Sequence, residues 1–164
     1  MINRIALLPK WFVFFLLIGS MAAGSFLPIP FGGLLFFVIY AGWVFALADS
    51  SNRLLPSDRQ RSIQKLKLAL LYAVCYAIVG GTFIHNHKGV KGILVPFHLF
   101  AMFCIFYSMY FAAKSIRSLE LRRDATFSDS LGVFFGLWFF PIGVWFVQPK
   151  INRIIGSEND LKTA

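Results

Sequence analysis

The chain has 164 residues, of which 58% are hydrophobic and 14% charged, with a mean hydropathy of +0.70. A soluble globular domain carries about 25% charged residues, so that class is excluded, and two cysteines exclude a disulfide framework. The net charge of +9 does not mark a nucleic-acid partner, because the lysines and arginines lie in short segments between apolar runs, as cytoplasmic loops and anionic headgroups demand.

The first apolar segment runs from Trp11 to Leu27 and the second from Phe31 to Ala48. Pro28, Pro30, Gly32 and Gly33 leave so short a link that the two are expected to form an antiparallel helical hairpin. A secretory signal peptide is the competing reading of the first segment. Arg4 and Lys10 would be its basic region and Ser20-Met21-Ala22 its cleavage site, but the immediate turn into a second apolar run favours a retained anchor. The third segment spans Leu66 to Ile84, the fourth Ile93 to Ala113 and the fifth Leu131 to Val147. Lengths of 17 to 21 residues reach about 26 to 31 Å as helix, close to the hydrocarbon thickness of a bilayer. None of the five has Asp, Glu or Arg in its interior, and no period-2 alternation suggests a barrel. The expected fold is therefore all-α: a single transmembrane domain over 1–164, with four spanning helices and a fifth, proline-broken element.

Orientation follows from charge. Arg4 and Lys10, the connection from Asp49 to Lys65 with Lys67 beyond it, and the loop from Lys114 to Ser130 together hold eleven basic residues. The opposite connection, His85 to Gly92, holds two. This asymmetry predicts a cytoplasmic N-terminus. The fifth segment contains Pro141-Ile142-Gly143, and Pro141 cannot donate to the carbonyl of Leu137. Two half-length helices that dip in and return, or one strongly kinked helix, are expected there. The re-entrant form would keep the tail, with Lys150, Arg153 and Lys162, in the cytoplasm.

Small residues four apart mark close helix approach. Ala69, Ala73, Ala77 and Gly81 form such a stripe on the third helix, Gly132 and Gly136 repeat the spacing on the fifth, and Gly19/Ala23 and Gly42/Ala46 do so on the first two. The third-helix stripe is either an intramolecular packing face or a homo-oligomer or membrane-partner interface.

Few residues suggest chemistry. Asp49 and Asp58 are read as loop or cap residues, and no phosphate loop, His-Glu-x-x-His or Gly-x-Ser-x-Gly pattern occurs. His85 and His87 in the outer loop and His98 just inside the fourth helix could together hold Zn or Cu with an open position, while haem would rest on His98 alone. The competing reading is two solvated histidines and one hydrogen-bonded interior histidine. Cys75 and Cys104 fall near the middle of adjacent helices. With Tyr107, and with Tyr72, Tyr76, Ser108 and Tyr110 nearby in sequence, they make a candidate polar seam, against the plainer reading of core packing. Ser115 to Asp129 reads as a helix extension along anionic headgroups.

The run Trp138-Phe139-Phe140-Pro141-Ile142-Gly143-Val144-Trp145-Phe146-Val147-Gln148-Pro149-Lys150-Ile151-Asn152 resembles the C-terminal signature of small multi-pass inner-membrane proteins of Bacteroidetes-type bacteria, and His98-Leu99-Phe100-Ala101-Met102-Phe103-Cys104-Ile105-Phe106-Tyr107 is similar to the same group. The resemblance implies a bacterial inner-membrane setting and no assigned activity. It draws attention to His98, Pro141, Gln148 and Asn152 as a buried polar arrangement. The expected function is a non-enzymatic accessory, scaffold or assembly component with no resident cofactor. A small oligomeric channel or carrier and a metal- or haem-binding redox component are the alternatives.

Overall fold

The computed structural model describes residues 4–27, 31–86 and 91–163. A short 3-10 turn, Arg4–Leu7, leads into six helices: α1 (Lys10–Gly24), α2 (Phe31–Leu54), α3 (Ile63–Asn86), α4 (Lys91–Leu121), α5 (Phe127–Trp138) and α6 (Phe140–Thr163). Among the described residues every regular element is helical. Gly33–Leu54, Ile63–Gly80 and Leu94–Leu121 are long and apolar enough to cross a membrane. The apolar α1 is shorter, 15 residues or about 22 Å.

Helix α2 is the hub. Half of its most apolar window is buried inside the bundle (50%, against 22% in α3 and 28% in α4). It packs on α1, α3, α4 and the 3-10 turn. Trp43, Val44 and Leu47 of α2 share one core with Leu17 of α1, Leu66 of α3, Ala112 and Ile116 of α4, Leu137 of α5 and Val144 and Ile151 of α6. Between lipid-like faces, contact of this kind relies on dispersion and close backbone approach more than on exclusion of water.

Two helices outrun the apolar segments that announce them. α2 continues past Ala48 through Asp49-Ser50-Ser51-Asn52, all buried, to Leu54. Asp49 is therefore not a loop residue: one turn from the helix end, its two carboxylate oxygens share the Nε–H of Arg53, each at 2.9 Å from the nitrogen. The Asn52 side chain donates to the carbonyl of Arg61 and accepts from its amide, each at 2.9 Å, which closes the following turn onto α2. Likewise α4 runs eight residues past Ala113 and leaves only 122–126 as loop. Arg122 adopts a positive φ of 53° there, the left-handed step that commonly ends a helix. α5 then starts on a capping box: the Thr126 hydroxyl accepts from the Asp129 amide, and the Asp129 carboxylate accepts from the Thr126 amide.

The fifth apolar segment is two helices. The break is at Phe139 (φ −90°, ψ 59°), two residues before Pro141, which then occupies the first turn of α6, where a missing N–H costs least. Gly136 of α5 lies against Gly143 and Val147 of α6. Asp129 and Lys150 line the far end of the same groove, so the two helices run antiparallel.

Candidate functional site

The α5–α6 hairpin is built around one contact. A Cβ placed on Gly143 would lie 1.5 Å from the carbonyl oxygen of Gly136 and 2.8 Å from its Cα, so only glycine lets the two backbones meet there. The other constraint comes from Pro141. A continuous helix would satisfy the Leu137 carbonyl from residue 141, and proline has no N–H to give. The hydroxyl of Tyr40, buried in the middle of α2, donates to that carbonyl at 2.8 Å. Phe140 packs on Phe36 (5.1 Å) and Tyr40 (6.0 Å) and seats the turn against α2.

The return helix is fixed by Gln148, whose side chain is fully buried. Its Oε1 accepts from Trp43 Nε1 at 2.9 Å, and the two hydrogens on its Nε2 go to the carbonyls of Ala6 and Leu8, each at 2.8 Å, with Asn152 Oδ1 a longer, shared contact at 3.2 Å. Asn152 adds a bond to the Leu8 carbonyl at 3.3 Å. One amide thus joins the 3-10 turn, α2 and α6, and leaves none of these strong hydrogen-bonding groups orphaned in an apolar core. Around it, Lys10 Nζ lies 5.2 Å above the Trp145 ring, and Trp11 meets the same ring edge-on at 4.2 Å.

A charged layer closes this end of the bundle. Asp124 pairs with Lys114 at 3.2 Å and with Arg61. Glu120 pairs with Lys150 at 3.1 Å and with Arg117, whose Nε also donates to the carbonyl of Asp129 at 3.0 Å. Burial would raise the Asp124 carboxyl, but its hydrogen bond from Lys114 and the charge of Arg61 outweigh it and hold that group below the usual range. Asp129 is held down to about 2, first by the Thr126 amide, then by the Thr126 hydroxyl and by Arg123.

Two grooves flank α5. One, of about 410 Å³, follows the hairpin on a floor of Gly132, Gly136 and Gly143, with Arg117 and Lys150 at its polar end. The other, of about 480 Å³, lies between α4 and α5 and is lined by Phe103, Phe106, Tyr107, Tyr110, Phe134 and Trp138, with no charged residue.

The sequence candidates fall in different places. His85 lies in the last turn of α3 instead of a loop, because the helix continues to Asn86; His87 lies outside the described residues. His98 is on an exposed face of α4 with its ring 5.7 Å from that of Tyr76. Among the described residues no group of His, Cys, Asp and Glu is arranged to hold a metal ion. Cys75 is exposed and Cys104 buried, both as free thiols. Tyr72 donates to the Phe97 carbonyl at 3.3 Å on the α3–α4 contact, whereas Tyr107 turns toward α5. Ala73 is buried, with Ala69 and Ala77 half-buried beside it. Pro141 and Gly143 form the hairpin turn with Gln148 and Asn152 on its return helix, and His98 takes no part. Sequence reasoning missed Tyr40, Trp43 and Asn52. The carbonyl freed by Pro141 was the available signal, since it requires a donor from elsewhere.

Compared with known proteins, the chain matches no protein-family model, no curated protein and no solved structure.

Proposed function

We propose that the protein is a multi-pass component of a bacterial inner membrane with a cytoplasmic N-terminus, in which α1 to α4 cross and the α5–α6 hairpin re-enters from the cytoplasmic side. Its work is non-enzymatic: it presents that fixed hairpin as an accessory or assembly scaffold. The observation that carries the reading is the Gln148 junction, because it returns α6 to the end of the bundle where α1 begins. α5 is 12 residues long, about 18 Å, so its turn would lie near the middle of a bilayer core of about 30 Å. Irregular backbone at that depth needs protein around it, and α2 supplies it through Tyr40. Gln148, Asn152 and the Tyr40 hydroxyl are engaged in holding the hairpin in place, which suits a scaffold better than a reaction centre. The inner-membrane setting rests on the resemblance of the C-terminal run and on the charge asymmetry.

Placement is tested in a chain carrying Cys75→Ser and Cys104→Ser, with Lys162→Cys as the sole thiol. An impermeant maleimide should label it only after the cells are opened, and labelling of intact cells would refute re-entry. The scaffold role predicts a second protein in constant ratio after purification in mild detergent. A partner-free preparation carrying tightly bound metal or haem would overturn it.

A further inference from the structure

We infer that the groove along the α5–α6 hairpin is a site for one phospholipid with an anionic headgroup, its phosphate between Arg117 and Lys150 and an acyl chain laid over the glycine floor. The inference rests on the re-entrant placement and adds a ligand to it. Shape, length and charge each bear on it.

The floor is made by Gly132, Gly136 and Gly143, and the side chains of Phe135, Phe139 and Phe146, each more than half exposed, stand along it. Its volume of about 410 Å³ lies within the roughly 300–1,000 Å³ of ligand sites. From Lys150 back to Phe140 is 11 residues of helix, or about 16 Å, close to half of a hydrocarbon core of about 30 Å. The groove is therefore as deep as one leaflet, open along its side to lipid and polar only at the cytoplasmic end.

The charge at that end is unbalanced. Arg117 and Lys150 share a single carboxylate, Glu120. The other acid, Asp129, is taken by Arg123 at 2.9 Å and by its own capping box. Three cations thus face two carboxylates, which leaves one positive charge at the mouth. A basic residue at the membrane surface strengthens the binding of anionic lipid by roughly fivefold. The aromatic groove between α4 and α5 has no such end, since no charged residue lines it.

Gly132 allows the groove to be filled without disturbing the fold, because a Cβ there meets nothing within 4 Å. Purified full-length protein, stripped of lipid, is offered phosphatidylglycerol, phosphatidylcholine or tail-free glycerol phosphate, and bound molecules are counted by native mass spectrometry. One phosphatidylglycerol should be retained, roughly fivefold in preference to phosphatidylcholine. Gly132→Leu should reduce retention at least about tenfold, since burial of the acyl chain is lost, without lowering the melting temperature. Lys150→Gln should bring the two lipids to near parity, and it tests the charge argument even if Gly132→Leu fails to fold. Retention by Gly132→Leu equal to wild type would overturn the site, as would equal binding of the two lipids by the wild-type chain. Glycerol phosphate bound as well as lipid would make it a plain phosphate site, and a polypeptide displaced by Gly132→Leu would make it a protein groove. If the thiol at 162 labels only from inside while Gly132→Leu keeps its lipid, the lipid site falls and the re-entrant hairpin stands.

Discussion

Replacing Gly143 by alanine should force the hairpin open, although alanine is the better helix former. The new Cβ would start 1.5 Å from the Gly136 carbonyl oxygen, and ordinary contact begins at 3.4 Å, so one helix must move by nearly 2 Å. Neither side of the clash is a flexible side chain. Overpacking of this kind costs about 1–3 kcal/mol. The same shift pulls the Leu137 carbonyl from the Tyr40 hydroxyl, and a buried carbonyl left without a donor costs roughly a further 1–3 kcal/mol. Gain in helix propensity offsets about 1 kcal/mol. The net loss is about 3 kcal/mol. Gly136→Ala is the control: its Cβ meets only Val147 Cγ2 at 3.3 Å and the Gly143 Cα at 3.7 Å, so a methyl group can shift and the propensity gain should nearly cancel the cost. Equilibrium unfolding of both variants in mixed micelles measures the difference. If the two agree within about 0.5 kcal/mol, the backbone contact does not hold the hairpin.

Gln148→Leu removes the partner of Trp43 Nε1 and of the Ala6 and Leu8 carbonyls, and should cost roughly 2–4 kcal/mol in the same assay. It should also speed protease cleavage before Lys10, and an unchanged cleavage rate would deny the N-terminal anchor. The capping box predicts a pH response. Because the folded state holds the Asp129 carboxyl at about 2, below its ordinary 3.8, its contribution is present above pH 3.8 and lost as pH falls toward 2. Asp129→Asn should flatten the melting-temperature profile in that window, and an unaltered acid limb would show that the box contributes nothing.

The all-helical architecture was legible in the sequence because long apolar runs without period-2 alternation read as helices, three of them long enough to cross a membrane. The reading ran short where helices continue on tertiary support. Asp49 to Asn52 look like a loop by composition, yet Arg53 and the backbone of Arg61 supply the partners that let α2 go on. At 115–129 the helix extension expected from the sequence is present as far as Leu121, where the positive φ of Arg122 ends it before α5 begins. Pro141-Ile142-Gly143 marked a break, but the donor for the freed carbonyl lies 97 residues away, and no local pattern connects Tyr40 to Leu137. The glycine spacing was legible only in part. Gly132 and Gly136 share a face as their spacing requires, but the close approach is between Gly136 and Gly143, and Gly132 is left as open floor. The spacing of the histidines carried no information on their surroundings, since His98 is on an exposed face of α4.

The Gln148 junction also has a consequence for biosynthesis. The carbonyls of Ala6 and Leu8 leave the ribosome more than a hundred residues before the amide that receives them, with sequence separations of 142 and 140. At about 5–20 residues per second, the first helix waits roughly 7–28 s with its entry unlatched, while α2 to α5 are synthesised. Assembly is therefore completed from the C-terminal side. A chain stalled before Gln148 would hold its helices without the lock on its first turn, and would offer proteases an exposed N-terminal segment by which an unfinished molecule can be told from a finished one.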